Sequence, residues 1–436
     1  MSVMKCDSFP KNKKVLFIHI AFPSQFHLYL PKLLERGYDV SAITFKDDVQ
    51  RKIPDEVKVH RLKPQEDVDP NAISAVFPGA KPVLTVHMLQ KYRYAVAVYN
   101  FINKLKREEN YEPDLVVSHE YSFFSYFIKT VWPTCKLICR MDLFHDPTIG
   151  MSQTSEEDLA LTTFEKEHYD IVGKIWNMIA LAAINEADRV FCATEYEKST
   201  FPKHLHDRID VIFDGINTNL IAPSHTVPPH PTFKFLDSAE FVIFATRSLE
   251  PLRGIGEFMR SIPYVLEKYP NMVFLIVGNS KKSSYGNNPR SGKTWMEIYK
   301  EKIYIPEQNL FQIEFIKHEY LNDLRLKAKV NVYLTYDWVL SWSLVETMSL
   351  ACPIVANDAE PVREFIKDGE NGRLVNIKDP ESIANGIIEA LENRDKFLEY
   401  GKKARELIVN NYRGELMSDK FMKLIENEKS TIPHSF

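Results

Sequence analysis

The sequence predicts an α/β protein made of two doubly wound, parallel-sheet domains. Three observations carry this. The chain has 436 residues, more than one ordinary hydrophobic core accommodates. Short apolar, β-rich runs alternate with helical stretches almost throughout, the pattern of parallel strands covered on both faces. The alternation lapses over 223–235, PSHTVPPHPTFKF, the densest proline stretch in the chain, and then a second series starts.

In the first series the apolar run 15–20 breaks at Phe22-Pro23-Ser24 and yields to a helical pattern (Phe26, Leu30, Leu33, Leu34) that stops at Gly37. Strands are expected at 40–45 and 57–62, followed by a long helix over 83–107. The helix's Ala95, Val98, Phe101, Ile102 and Leu105 suit packing on the sheet. Its Lys91, Arg93, Lys104, Lys106 and Arg107 make docking on an anionic membrane the lesser option. Next come strand 115–118, helix 123–130, strand 137–140, one long helix over 156–186, and strands 189–193 and 211–213. The second series places strands at 241–246, 273–277, 311–316, 330–334 and 354–356. Asp379-Pro380-Glu381 opens a helix with an acid at the N-cap and proline at the first position. The last helices run over 394–428. No internal repeat or low-complexity tract is evident. Sheets of this kind bind ligands outside the carboxyl ends of their strands, so functional residues are expected at strand-to-helix turns.

A net charge of −4 argues against nucleic acid as the main partner, which would favour a basic face. Cys6, Cys135, Cys139, Cys192 and Cys352 are scattered and read as free thiols in a reducing compartment. The polar start, MSVMKCDSFPKNKK, lacks a signal-peptide core, and no apolar run approaches the ~20 residues that span a bilayer. The expected location is cytoplasmic, with peripheral contact at the inner face of the membrane left open.

Two signals mislead. Gly286 to Thr294 resembles a phosphate-binding loop, but five residues separate its glycines where the motif needs four. Asp67-Val68-Asp69 lies in a polar, proline-flanked stretch with no strand leading into it, so a solvated loop is expected. His145, His168, His204 and His206 show no ligand spacing. Neither metal nor cofactor is expected.

The chemistry points to YDWVLSWSLVETMSL. Glu346 is the only carboxylate between Trp338 and Asn357. Ser343 followed three residues later by Glu346 reads as a capping box, which alone explains the glutamate. The alternative is functional: a helix N-terminus after strand 330–334 suits a diphosphate, and a carboxylate one turn in can hold ribose hydroxyls. In the same domain Arg247 and Arg253 flank the turn after strand 241–246, a pair able to neutralise a departing diphosphate.

FPSQFHLYLPKLLERGYDV, VIFDGINTN, ATRSLEPLRGIGEFM, YDWVLSWSLVETMSLACPIVAND, EPVREFIKDGENGRLV and DPESIANGI occur in that order between Phe22 and Ile387. On these stretches the chain resembles the retaining, metal-independent glycosyltransferases of family 4. It is especially similar to a bacterial subset with FPxQF and VLSWSLxE. The resemblance implies the GT-B fold: two Rossmann-like domains facing a central cleft. These would be an acceptor-side domain at 1–222, a linker at 223–238, a nucleotide-sugar-binding domain at 239–411, and a helix at 412–436 crossing back to the first domain.

It also implies roles. Glu346 matches the second glutamate of the family's E-x7-E, which holds the ribose. The first falls at Trp338 and is missing, and the glycine three residues on is Ser341. Arg247 and Arg253 match the basic pair around the diphosphate, and His119 a histidine facing the sugar. Gly278, Ser341, Ser343, Leu344 and Val345 would complete the donor site, with the N–H groups of Leu344 and Val345 on the leaving group. Phe22, Pro23, Ser24 and Gln25 would line the acceptor side. The implied reaction moves a sugar, with retention, from a nucleotide sugar to a glycan or lipid-linked glycan. A phosphorylase or epimerase on the same fold is the alternative within enzymes. A catalytically silent nucleotide-sugar binder is the alternative outside them.

Overall fold

A computed structural model describes residues 12–48, 51–64, 82–120, 122–162, 165–224, 226–227, 239–286 and 288–426. The 67–69 acids, Cys6 and most of the 223–238 stretch lie outside the described residues. The chain divides into two compact units, one of 1–145, 170–215 and 414–436, the other of 146–169 and 216–413.

The first unit holds strands β1 (Lys14–His19), β2 (Asp39–Thr44), β3 (Lys58–Arg61), β4 (Leu115–His119), β5 (Lys136–Arg140), β6 (Arg189–Cys192) and β7 (Ile209–Val211). They form one sheet in the order β3-β2-β1-β4-β5-β6-β7, parallel at every pairing. Strand order reverses between β1 and β4, the topological switch where doubly wound sheets take ligands. Its helices include α1 (Leu30–Glu35), α2 (Pro82–Glu108) and α3 (Ile128–Val131). On α2, Ala95, Val98, Ile102 and Leu105 are buried, so that face packs on the sheet. The 123–130 segment is mostly turn, with α3 confined to four residues, and Phe123 takes φ 53°, which no helix accepts.

The expected helix over 156–186 is two helices, α4 (Glu156–Ala160) and α5 (Lys166–Glu186). Thr162 between them leaves helical pairing to bridge Pro289, and α4 belongs to the other unit. After α6 (Glu195–Thr200), the second unit contains β8 (Phe241–Ser248), α7 (Ile255–Lys268), β9 (Val273–Asn279), α8 (Trp295–Lys302), β10 (Leu310–Ile313), α9 (His318–Lys327), β11 (Val330–Tyr333), α10 (Trp342–Ser349), β12 (Ile354–Asn357), α11 (Glu360–Arg363), β13 (Arg373–Val375), α12 (Pro380–Glu392) and α13 (Arg394–Asn411). Its sheet order is β10-β9-β8-β11-β12-β13, so its switch lies between β8 and β11. The last helix, α14 (Gly414–Glu426), belongs to the first unit, where Phe421 stacks on Tyr29 at 4.3 Å.

The 146–169 segment is anchored to the second unit by charge and hydrogen bonds. Arg260 meets Glu157 at 3.2 Å and Asp158 at 3.3 Å. Gln153 and Asp337 exchange two bonds, of 2.6 and 2.9 Å. Beside Arg260 sits Glu257, 4% exposed, accepting from the Tyr336 hydroxyl at 3.0 Å. Burial first, then the Asp158 charge, push its carboxyl up to about 7. A group protonated more readily in the folded chain binds extra protons there, so its stabilising contribution is present at low pH and fades as pH rises towards 7. Glu257→Gln is therefore expected to flatten the fall in denaturant midpoint between pH 5 and 8, by about 1.4 kcal/mol for each unit of pKa displacement removed.

The described cysteines Cys135, Cys139, Cys192 and Cys352 are free and buried. Among the described residues no helix is long and apolar enough to cross a membrane, and no group of three or more His, Cys, Asp or Glu is placed to hold a metal.

Candidate active site

At the β8/β11 switch the second unit gathers the residues expected to bind a donor. β8 pairs with β9 through a register shift between Ala245 and Ser248, and Arg247 lies on that irregular end with its side chain exposed. A short 3-10 turn, Pro251–Arg253, then leads to Gly254 at φ 71°. A Cβ there would stand 2.5 Å from the Leu334 Cβ, so glycine lets the β8 turn rest against the end of β11. Gly278 does similar work on β9, where a Cβ would meet the Thr246 carbonyl at 2.6 Å. Gly278→Ala is expected to lower stability by about 1–3 kcal/mol, read from a denaturant midpoint.

Arg253 is 6% exposed. Its Nη1 donates to Thr335 Oγ1 at 3.2 Å and the Val339 carbonyl at 3.3 Å, and the guanidinium lies over the Tyr285 ring at 5.2 Å. No carboxylate within salt-bridge distance of it is found among the described residues. A buried cation with only neutral acceptors is costly unless an anion arrives. The surrounding loops are held firmly. Buried Glu250 accepts from the N–H groups of Ser284, Tyr285 and Gly286 at 3.1, 3.2 and 2.7 Å. Asn357 brackets Thr335 with two bonds of 2.8 Å.

One expectation for α10 needs correction. The N-cap is Ser341, whose side chain accepts from the Ser343 N–H at 3.3 Å, so Ser343 and Glu346 do not form a capping box. Ser343 instead donates to the Ala245 carbonyl at 2.8 Å and accepts from Arg325 at 2.9 Å. The N-cap Ser341 N–H donates to the Tyr333 hydroxyl at 3.1 Å, and Leu344 N–H to the Ser341 carbonyl at 3.2 Å. Val345 sits where an α-helical amide bonds the carbonyl four residues back.

Glu346 is held in an ion cluster. Arg325, 3% exposed at its side chain, meets one carboxylate oxygen at 2.9 Å, and His318 the other at 3.0 Å. Burial alone would raise this carboxyl, yet the His318 hydrogen bond and the Arg325 charge hold it down at about 2. It is thus ionised and fixed in place, with lone pairs left to accept hydroxyl protons. The sequence reading missed Arg325 and His318. They lie seven residues apart on α9, two turns along one face, and that spacing is the signal the sequence offers.

The remaining expected residues lie in the first unit. His119 ends β4, 3.2 Å from Asp142 Oδ1 and 3.0 Å from Arg140 Nη1. Phe22 is fully buried and packs on Phe17 at 5.6 Å, so it supports the turn from beneath rather than lining a surface. Beyond a cis Phe22-Pro23 bond, Ser24 and Gln25 lie in the 3-10 turn Ser24–Phe26. Ser24 N–H is held by Asp48 at 3.1 Å, and the Gln25 Oε1 is buried without a partner.

The sequence matches the family description "Glycosyl transferase family 4 group" over residues 36–221 and "Glycosyl transferases group 1" over 231–429. The chain belongs to the family 4, group 1 glycosyltransferases. The phosphatidyl-myo-inositol mannosyltransferase of Mycobacterium tuberculosis is 24% identical over 307 residues, 66% of this chain and 69% of its own. The poly(ribitol-phosphate) alpha-N-acetylglucosaminyltransferase of Staphylococcus aureus is 28% identical over 229 residues, 50% of this chain and 42% of its own. Sucrose-phosphate synthase from Thermosynechococcus elongatus superposes with a TM-score of 0.68 at 16% identity, covering 95% of this chain and 98% of the synthase. Anabaena Alr3699/HepE, in complex with UDP and glucose, gives 0.64 at 14%, covering 95% and 99%. The fold is GT-B, with two Rossmann-like parallel-sheet units.

In this glycosyltransferase Trp338 occupies the position that the resemblance gives to the family's first glutamate. The indole is 9% exposed and lies 6.0 Å from the Tyr285 ring. It is also seated on Gly150, where a Cβ would come within 2.8 Å of it. Trp338, Tyr285 and Gly150 of the 146–169 segment thus lie together.

Proposed function

We propose that this enzyme transfers a sugar from a nucleotide-sugar donor to a hydroxyl of a glycan or lipid-linked glycan, with retention of anomeric configuration and without a metal. The observation that carries the reading is Arg253, a buried guanidinium bonded only to neutral acceptors at the second unit's topological switch. Arg253 and exposed Arg247 supply the positive charge a leaving diphosphate needs, which is the part a divalent ion would otherwise play. Glu346, ionised and fixed by Arg325, accepts from the ribose hydroxyls. In the first unit, taken by itself, His119 faces a sugar and Gln25 belongs to the acceptor side. The acceptor proton passes to a leaving-group oxygen on the same face, so charge stabilisation and positioning matter more than a strong base.

A catalytically silent nucleotide-sugar binder is the second reading, favoured by Trp338 in place of a catalytic-site carboxylate. The experiment is a thermal-shift screen in EDTA with UDP-, GDP-, dTDP- and CMP-linked sugars, followed by NMR of the product's anomeric proton. One donor is expected to stabilise the protein and to give product of retained configuration. Stabilisation with no hydrolysis or transfer supports the binder, and stabilisation by no donor sinks both.

The acceptor's setting is a further part of the proposal. On the first unit, Met88, Leu89, Tyr92, Tyr126, Met178 and Leu181 are 38–43% exposed, apolar surface suited to peripheral contact with a membrane that carries the acceptor. Vesicle flotation with anionic lipid tests this: recovery in the soluble fraction overturns it.

A further inference from the structure

The carboxylate of Glu346 is 13% exposed, and its two partners differ sharply: Arg325 on one oxygen is 3% exposed, His318 on the other 50%. Arg325 therefore closes the inner side of the carboxylate, and His318 covers the side that meets solvent.

The two contacts are also held differently. The Arg325 guanidinium donates to Asn322 Oδ1 at 3.1 Å and to Ser343 Oγ at 2.9 Å, and Ser343 is tied in turn to the Ala245 carbonyl at 2.8 Å. Arg325 is fixed in its place. His318 opens α9, whose N-cap, Lys317, makes no side-chain capping bond. Its Nε2 lies 3.0 Å from Glu346 Oε1, while its Nδ1 has only Asn322 Nδ2 at 3.5 Å among the described residues, longer than a good hydrogen bond.

The protonation of the ring follows from these partners. Asn322 gives its Oδ1 to Arg325, so its Nδ2 faces His318, and Nδ2–H can donate only to an unprotonated Nδ1. The ring so held is neutral, with its one proton on Nε2 towards Glu346. A second proton, on Nδ1, opposes the Asn322 donor and makes the Glu346 contact charge-assisted, about twice as strong as a neutral bond. The charged groups bonded into this cluster are Glu346 on α10 and Arg325 on α9, with Lys317 and Glu319 beside His318 along the chain. With Glu346 titrating at about 2 and arginine permanently charged, the histidine is the one of the three bonded groups that changes charge in the range of pH 5 to 8.

A ribose reaches the carboxylate from the side that solvent reaches, which is the side His318 covers. We propose that His318 is a pH-dependent gate on the nucleotide site: it occupies the outward oxygen of Glu346 in the free chain, ribose hydroxyls displace it, and its protonation strengthens the closed arrangement. The proposal rests on the donor reading of Glu346 and adds its regulation, with acid closing the site and higher pH opening it.

Calorimetry with UDP-glucose, GDP-mannose, dTDP-glucose and CMP-N-acetylneuraminate between pH 5 and 8 reads the gate. The phosphates of these probes are esterified at every link, so they do not take up a proton in that range. Wild-type affinity for the donor that binds is expected to fall about tenfold from pH 8 to pH 5, the worth of one charge-assisted hydrogen bond. In His318→Ala the affinity should be constant within about threefold and exceed the wild type about tenfold at pH 5. His318→Gln, which keeps an N–H donor without a group that titrates, should be equally flat. In the complex the wild-type His318 ring, released from Glu346, should titrate lower than in the free chain, followed by NMR of its Cε1–H.

A histidine that merely orients Glu346 gives a different result, with weaker binding in His318→Ala at every pH. That result overturns the gate, as does a pH dependence in His318→Ala equal to the wild type's, or a His318 titration unchanged by the nucleotide sugar. If the wild type binds none of the four probes at any pH, the donor reading itself has failed and the gate falls with it.

Discussion

Arg253→Met is expected to lower kcat/KM by about 10²–10³ while leaving the free protein as stable as the wild type or more so. The two halves of this result have one cause. The guanidinium is buried against a hydroxyl, a carbonyl and the Tyr285 ring, so its desolvation is not offset by an acid in the unliganded chain. Methionine fills similar volume without a charge to desolvate. A residue kept at a cost to folding is explained by what it binds. Thermal melts with and without nucleotide check this: the variant should melt no lower than wild type alone, and should lose most of the ligand-induced rise. A variant that melts several degrees lower with undiminished ligand response would make Arg253 structural.

Glu346→Ala is expected to remove nucleotide binding and also to destabilise the fold by about 3 kcal/mol, because it strands Arg325 as an unpaired buried charge. This differs from the prediction a capping residue would make, which is about 1 kcal/mol with binding retained. The double variant Arg325→Met, Glu346→Leu separates the two effects. Replacing both partners should recover most of the stability but none of the binding. Carboxylate pairing also sets the acid limit. Since Glu346 titrates at about 2 in the folded chain, its contribution is present above the ordinary carboxylate range and lost as pH falls through about 2. Acid unfolding of Glu346→Gln should therefore begin from a lower plateau and lose less on the way down.

Much of the fold is legible because parallel strands buried on both faces read as short apolar runs. Strand β13 escapes that reading because Arg373–Val375 is three residues long and only one of them is buried in the manner of the central strands. The split of the 156–186 segment escapes it because its cause is distant in sequence: Thr162 leaves helical pairing to bridge Pro289, and Asp158, within α4, pairs with Arg260. Periodicity cannot report such contacts. The capping box at Ser343 is the instructive error. The local pattern was present, but the helix begins at Trp342 with Ser341 as its cap, and the partner of Glu346 lies 21 residues upstream.

The role of Arg253 as the anion-binding cation is tested by calorimetric titration of the wild type and Arg253→Met with UDP, GDP, dTDP and CMP, and with the sugar conjugate of whichever binds, all in EDTA. One nucleotide is expected to bind the wild type without metal and to bind the variant at least 100-fold more weakly. Equal affinity in the two proteins, or no binding by the wild type, would contradict it.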